Sequence, residues 1–145
     1  MKAFFTLLAW VAGGLLVLGV LAIGGFWWFL DYSAERMCDN QVISTTELPE
    51  VGRKVVVFQR DCGATTGFST QVSMLEIGKQ LPNESGNLFT ADTNHGRAPG
   101  GDAGGPVVRV EVISAKQVRI LHHPDARVFN HQNQWQGIAI EYGDL

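Results

Sequence analysis

Positive charge is scarce in this 145-residue chain: eleven Lys and Arg stand against fourteen Asp and Glu. Lys2 is the one cation ahead of Asp31, so ten cations face fourteen anions, a formal −4, from residue 31 onward. That deficit argues against nucleic acid as a partner, which requires a basic patch, and against electrostatic attachment to anionic lipid. Cysteine is scarcer still, with only Cys38 and Cys62. No segment after residue 30 carries apolar residues at a 3.6-residue period, which excludes a helical bundle. A phosphate loop, a metal-ligand cluster and an acid–base pair are all missing as well. No cofactor, no metal and no catalytic residue is therefore expected.

Charge is absent altogether from Phe4 to Leu30, where Leu, Val, Ala, Gly, Phe and Trp dominate. Those 27 residues make a helix of about 40 Å. A hydrocarbon core of about 30 Å needs ~20 residues, so the run is long enough to span it with tilt. Trp27 and Trp28 stand at its far end, where indole rings favour the headgroup region. A cleaved signal peptide is the competing reading, but its apolar core would be shorter and followed by small residues. Residues 1–3 are expected in the cytoplasm, 4–30 as an uncleaved transmembrane helix, 31–37 as a polar stem and 38–145 as an extracytoplasmic domain. The orientation follows from Lys2 before the span and Asp31 and Glu35 after it.

Beyond the stem the pattern is that of strands. Lys54 to Arg60 is a Val/Phe run that reads as a central strand buried on both faces. Ser69 to Ile77, Val107 to Ile113, Gln117 to His122 and Ile138 to Tyr142 alternate apolar and polar residues. Val42 to Thr46 and Asn87 to Thr90 are shorter candidates. Ala91 to Pro106 holds Gly96, Pro99, Gly100, Gly101, Gly104, Gly105 and Pro106, and reads as an exposed flexible loop. The expected fold is mainly β: a small antiparallel meander or sandwich of about six strands behind a transmembrane helix. In an oxidising compartment Cys38 and Cys62 pair by default, which suits a domain with a limited core.

Several motifs invite chemistry. Gly101-Asp102-Ala103-Gly104-Gly105-Pro106 resembles the nucleophile motif of chymotrypsin-like proteases, but Ala103 stands where the serine belongs. His122-His123-Pro124-Asp125 and His131 lack a metal-binding spacing, because adjacent strand residues point to opposite faces. Cys62 beside Arg60 suggests an activated thiol, against the simpler disulfide. Gly63-Ala64-Thr65-Thr66-Gly67 offers a nest of backbone amides, or a tight connection whose hydroxyls cap the backbone. Arg60, Thr65, Thr66 and Ser69 are the candidate binding residues.

The run Phe58-Gln59-Arg60-Asp61-Cys62-Gly63-Ala64-Thr65-Thr66-Gly67-Phe68-Ser69-Thr70-Gln71-Val72-Ser73 resembles a group of small bacterial envelope proteins with a lipoprotein signal or membrane anchor. The resemblance covers about residues 38–142. It implies location and shared architecture: an early cysteine, a Val-rich strand, this motif and a closing strand. The expected protein is a single-pass bacterial inner-membrane protein whose periplasmic domain binds a ligand or an envelope protein, its first partner being the bilayer itself. An inhibitor or immunity protein against an envelope-acting toxin is the alternative, and a thiol enzyme using Cys62 is another.

Overall fold

The computed structural model describes residues 2–36, 38–63 and 67–145 and divides into two units, Met1–Arg36 and Met37–Leu145. The first is a single helix, α1 (Lys2–Arg36). Its Gly13–Leu30 portion has a mean hydropathy of 2.0 and no buried residue. Among the described residues it is the one helix long and apolar enough to cross a membrane. Leu15, Leu16, Val20, Ile23, Trp27 and Trp28 are all exposed. A helix apolar on every side is built for lipid, not for the edge of a water-soluble core. The expected stem is helical too, through Arg36. With the disulfide described below, this is the build of a single-pass membrane or signal-anchored protein.

The second unit is mainly β, with nine strands among the described residues where about six were expected. They are β1 (Asp39–Leu48), β2 (Arg53–Asp61), β3 (Ser69–Glu76), β4 (Phe89–Asp92), β5 (Val108–Ser114), β6 (Gln117–His122), β7 (Arg127–His131), β8 (Gln134–Trp135) and β9 (Ile138–Asp144). β7 and β8 are the two that none of the seven strand candidates in the sequence covers; they come from a stretch that reads as polar. One sheet has the order β1-β2-β3-β4-β7, the other β5-β6-β9-β8. All pairs are antiparallel except β6–β9, which is parallel.

Alternation places one apolar set between the sheets. Val55, Val57, Val72, Met74, Phe89 and Ala91 come from the first sheet; Val108, Val118, Ile120, Ile138 and Ile140 come from the second. This single shared core makes the unit a sandwich. Tyr142 continues the inward row of β9. Its hydroxyl accepts from the Gln132 amide at 3.0 Å and donates to the Gln132 carbonyl at 2.8 Å. Burial pushes its pKa up to about 12, although the Gln132 hydrogen bond pulls the other way.

β2 is central and buried on both faces, as its Val/Phe run predicts. Val56 and Phe58 lie outside the shared core, and Asn40, Arg60 and Gln71 share the face of Phe58 as a polar layer. The covering segment is 82–86. Asn40 Nδ2 donates to the carbonyls of Pro82 and Glu84 at 3.0 and 2.9 Å. Gly86 N donates to Gln71 Oε1 at 2.6 Å. Gly86 has no room for a side chain: a Cβ there would lie 2.8 Å from the Phe89 carbonyl oxygen. Asn83 Nδ2 donates to the Cys38 carbonyl at 2.7 Å, so its amide is occupied within the fold.

Cys38 and Cys62 form a disulfide. Asp39 pairs with Asp61, so the bond closes the open end of the β1–β2 hairpin.

Residues 93–107 depart from the expected exposed flexible loop. Ala98, Gly105 and Pro106 are buried. Thr70 Oγ1 donates to the Pro106 carbonyl at 2.7 Å. Gly101 N donates to Gly105 O at 2.8 Å and Gly104 N to Gly101 O at 2.9 Å. The glycines serve close approach: a Cβ on Gly105 would sit 2.4 Å from Thr70 Oγ1. Gly105→Ala is therefore expected to destabilise the domain by about 1–3 kcal/mol through overpacking. A thermal melt of the variant against wild type checks this; an unchanged midpoint would show that the loop yields freely.

Candidate functional site

A cleft of about 590 Å³ opens where the end of β4, the start of β7 and the residues leading into β3 meet. Its walls include Phe68, Ser69, Asp92, His95, Arg127 and Phe129. The volume falls within the ~300–1,000 Å³ of small-molecule sites.

Strand pairing builds the centre. Asp92 on β4 stands directly opposite Arg127 on β7. Arg127 Nε donates to Asp92 Oδ1 at 3.2 Å, and its Nη2 donates to Oδ2 in the same fork. The Asn94 amide adds a third hydrogen bond to Oδ1 at 2.8 Å. Burial of the carboxyl acts to raise its pKa. The Arg127 and Asn94 hydrogen bonds and the nearby charges of Arg127 and His95 outweigh it and hold Asp92 below its ordinary 3.8.

Because the folded pKa is the lower one, this interaction is fully present above the unfolded carboxylate value and is lost as pH falls through the folded value. Acidification below about pH 4 should thus lower the denaturation midpoint. Asp92→Asn should reduce that loss, which paired urea titrations at neutral and acid pH would show. The guanidinium is largely exposed, so the effect is small.

Two phenylalanines flank the pair. Phe129 is 60% exposed and Phe68 44%. The Arg127 guanidinium lies 4.9 Å from the centre of the Phe129 ring and backs one of its faces. Phe68 is backed by Gly104, where φ is +93° and a Cβ would come within 2.6 Å of the ring.

The rim carries backbone strain. Asn94 and His95 adopt φ of 51° and 58°, ahead of Gly96 at 84°. Left-handed backbone is easy for glycine, tolerable for asparagine and costly for histidine. The turn is locked in place by Asp92, by the Asn94 Nδ2 bond to the Asp125 carbonyl at 3.1 Å, and by Ala98 N donating to Thr93 O at 3.0 Å. The outcome is a histidine held at the cleft.

The residues singled out from sequence are dispersed. Ser69 lines this cleft, where its hydroxyl donates to the Arg60 carbonyl at 3.3 Å and accepts from Gln71 Nε2 at 2.9 Å. Arg60 is buried, only 7% exposed, with Nη1 donating to Asn40 Oδ1 at 2.8 Å and Asn83 Oδ1 at 3.1 Å. It belongs to the polar layer over Phe58. Thr65 and Thr66 lie outside the described residues. Cys62 is oxidised and so carries no thiolate for nucleophilic attack. The His122 ring stacks on Phe89 at 5.2 Å, and His131 packs edge-on against Tyr142 at 5.6 Å. Among the described residues no group of three His, Cys, Asp or Glu is placed to hold a metal.

Asp92, His95, Arg127 and Phe129 were not legible as a site. Asp92 and Arg127 are 35 positions apart and meet only through the β4–β7 pairing. The one local signal is an exposed aromatic residue, Phe129, in a mostly polar stretch two positions after an arginine. Set against family models, curated proteins and solved structures, the chain matches none of them.

Proposed function

We propose that this chain is a membrane-anchored binding module. In this reading α1 lies in a bacterial inner membrane, the β-domain is periplasmic, and the Asp92–Arg127 cleft faces a ligand of the envelope. The observation that carries the reading is the cleft itself: two exposed phenylalanines around a pre-formed ion pair, on a strained rim. Exposed aromatic rings and costly backbone are features a domain has little reason to keep for stability alone. The charge asymmetry around α1 and the disulfide support the location. Binding fits better than catalysis because the carboxylate and guanidinium of the cleft are committed to each other, not to a reacting group.

Hydroxyl-radical footprinting tests this. Phe129 should be oxidised several-fold more slowly in intact envelopes than in the purified chain in nanodiscs. Ile113, exposed on β5, should react alike in both. Equal oxidation of Phe129 in the two settings would refute the reading.

A further inference from the structure

The geometry points to a neutral oligosaccharide as the ligand of this cleft, an inference that rests on reading the cleft as the binding site. Charge comes first. Asp92 and Arg127 satisfy each other through a two-point fork. An anionic ligand would meet the Asp92 carboxylate beside the guanidinium, a cationic one would compete with Arg127, and an anion that broke the fork would leave the half-buried carboxylate without its partner. A neutral ligand can add to the pair without breaking it.

Hydrogen bonding comes second. The fork leaves Arg127 Nη1 outside the pair as a donor, while the carboxylate oxygens keep lone pairs for further donors. Beside them stand the Thr90 and Thr93 hydroxyls and the His95 ring. A planar carboxylate next to a planar guanidinium presents acceptor and donor side by side. Neighbouring sugar hydroxyls, each both donor and acceptor, match that arrangement. An ordinary apolar ligand would leave these groups desolvated and unpaired.

The rings come third. Phe68 and Phe129 each have one side covered by protein, Gly104 for the first and Arg127 for the second. They are held in place and still 44% and 60% exposed. The negative face of an aromatic ring attracts polarised C–H groups. A pyranose has such a C–H face and carries its hydroxyls around the edge. It is the ligand class that satisfies rings and ion pair together without bringing charge.

The test uses the full chain in nanodiscs on an array of short neutral oligosaccharides built from glucose, N-acetylglucosamine, galactose or mannose. At least one should bind. Phe129→Ala should weaken that binding about tenfold. Because Phe129 is mostly exposed, this variant is expected to fold. Phe129→Trp, with a larger platform, should retain or strengthen binding. Failure of every saccharide to bind overturns the inference; if Phe129 is still protected in envelopes, the cleft reading survives with another ligand class. A saccharide that binds equally well to Phe129→Ala sits elsewhere and overturns the inference as well.

Discussion

Phe58→Ala is expected to cost about 3–5 kcal/mol, the range for removing a buried phenylalanine. Phe58 has no exposed surface. Its position is unusual for so large a side chain, because it lies outside the core shared by the two sheets. Asn40, Arg60 and Gln71 share its face of the sheet, and the 82–86 segment is hydrogen-bonded to all three. That layer is tied together by hydrogen bonds, whose geometry resists the collapse that lowers the cost of a cavity. The cost should therefore fall toward the upper end of the range. Against a typical total stability of 5–15 kcal/mol, such a loss would leave a substantial unfolded fraction. A urea titration followed by near-ultraviolet circular dichroism reads the loss. A change under about 1 kcal/mol would mean that the polar layer is not a tight lid.

The disulfide carries the second large effect. Cys38 and Cys62 are separated by 24 positions, for which loop entropy gives about 3 kcal/mol. Cys38→Ala, Cys62→Ala and the double variant should all lose this same amount, because each removes the same bond. Non-additivity is the diagnostic feature. Chemical reduction of the wild type should shift the urea midpoint similarly. A much larger loss at Cys62 alone would show that its sulfur does more than pair with Cys38.

Both effects involve features written plainly in the chain. Two cysteines beyond an apolar span have few alternatives to pairing, and four consecutive apolar residues at Val55, Val56, Val57 and Phe58 require burial on two faces. The alternation of β3, β6 and β9 likewise gives their inward rows directly. What stayed hidden is what depends on distant partners. β7 buries little, with Val128 half-buried and Phe129 pointing outward, so no alternation betrays it. The parallel β6–β9 pairing joins strands separated by β7 and β8, and a parallel ladder has no local turn to announce it. The Gly-rich stretch up to Pro106 reads as loose because its anchors are small: Ala98, Gly105 and Pro106 are buried without any long apolar run.

The site follows the same logic. The dense local motif at residues 60–70 points to Arg60, Thr65, Thr66 and Ser69. Of these, Ser69 lies in the cleft, while Arg60 is spent on Asn40 and Asn83. The centre of the cleft is assembled from β4 and β7, whose pairing carries a register shift between Thr90 and Ala91. Only the folded sheet places Asp92 against Arg127.

The central claim, that this cleft is where the module meets its ligand, is tested most directly by photo-crosslinking in living cells. A photoreactive phenylalanine analogue at position 129 should yield a discrete adduct that Asp92→Asn abolishes. The same analogue at position 112, exposed on β5, should yield none. No adduct at 129, or equal adducts at both positions, would contradict the account.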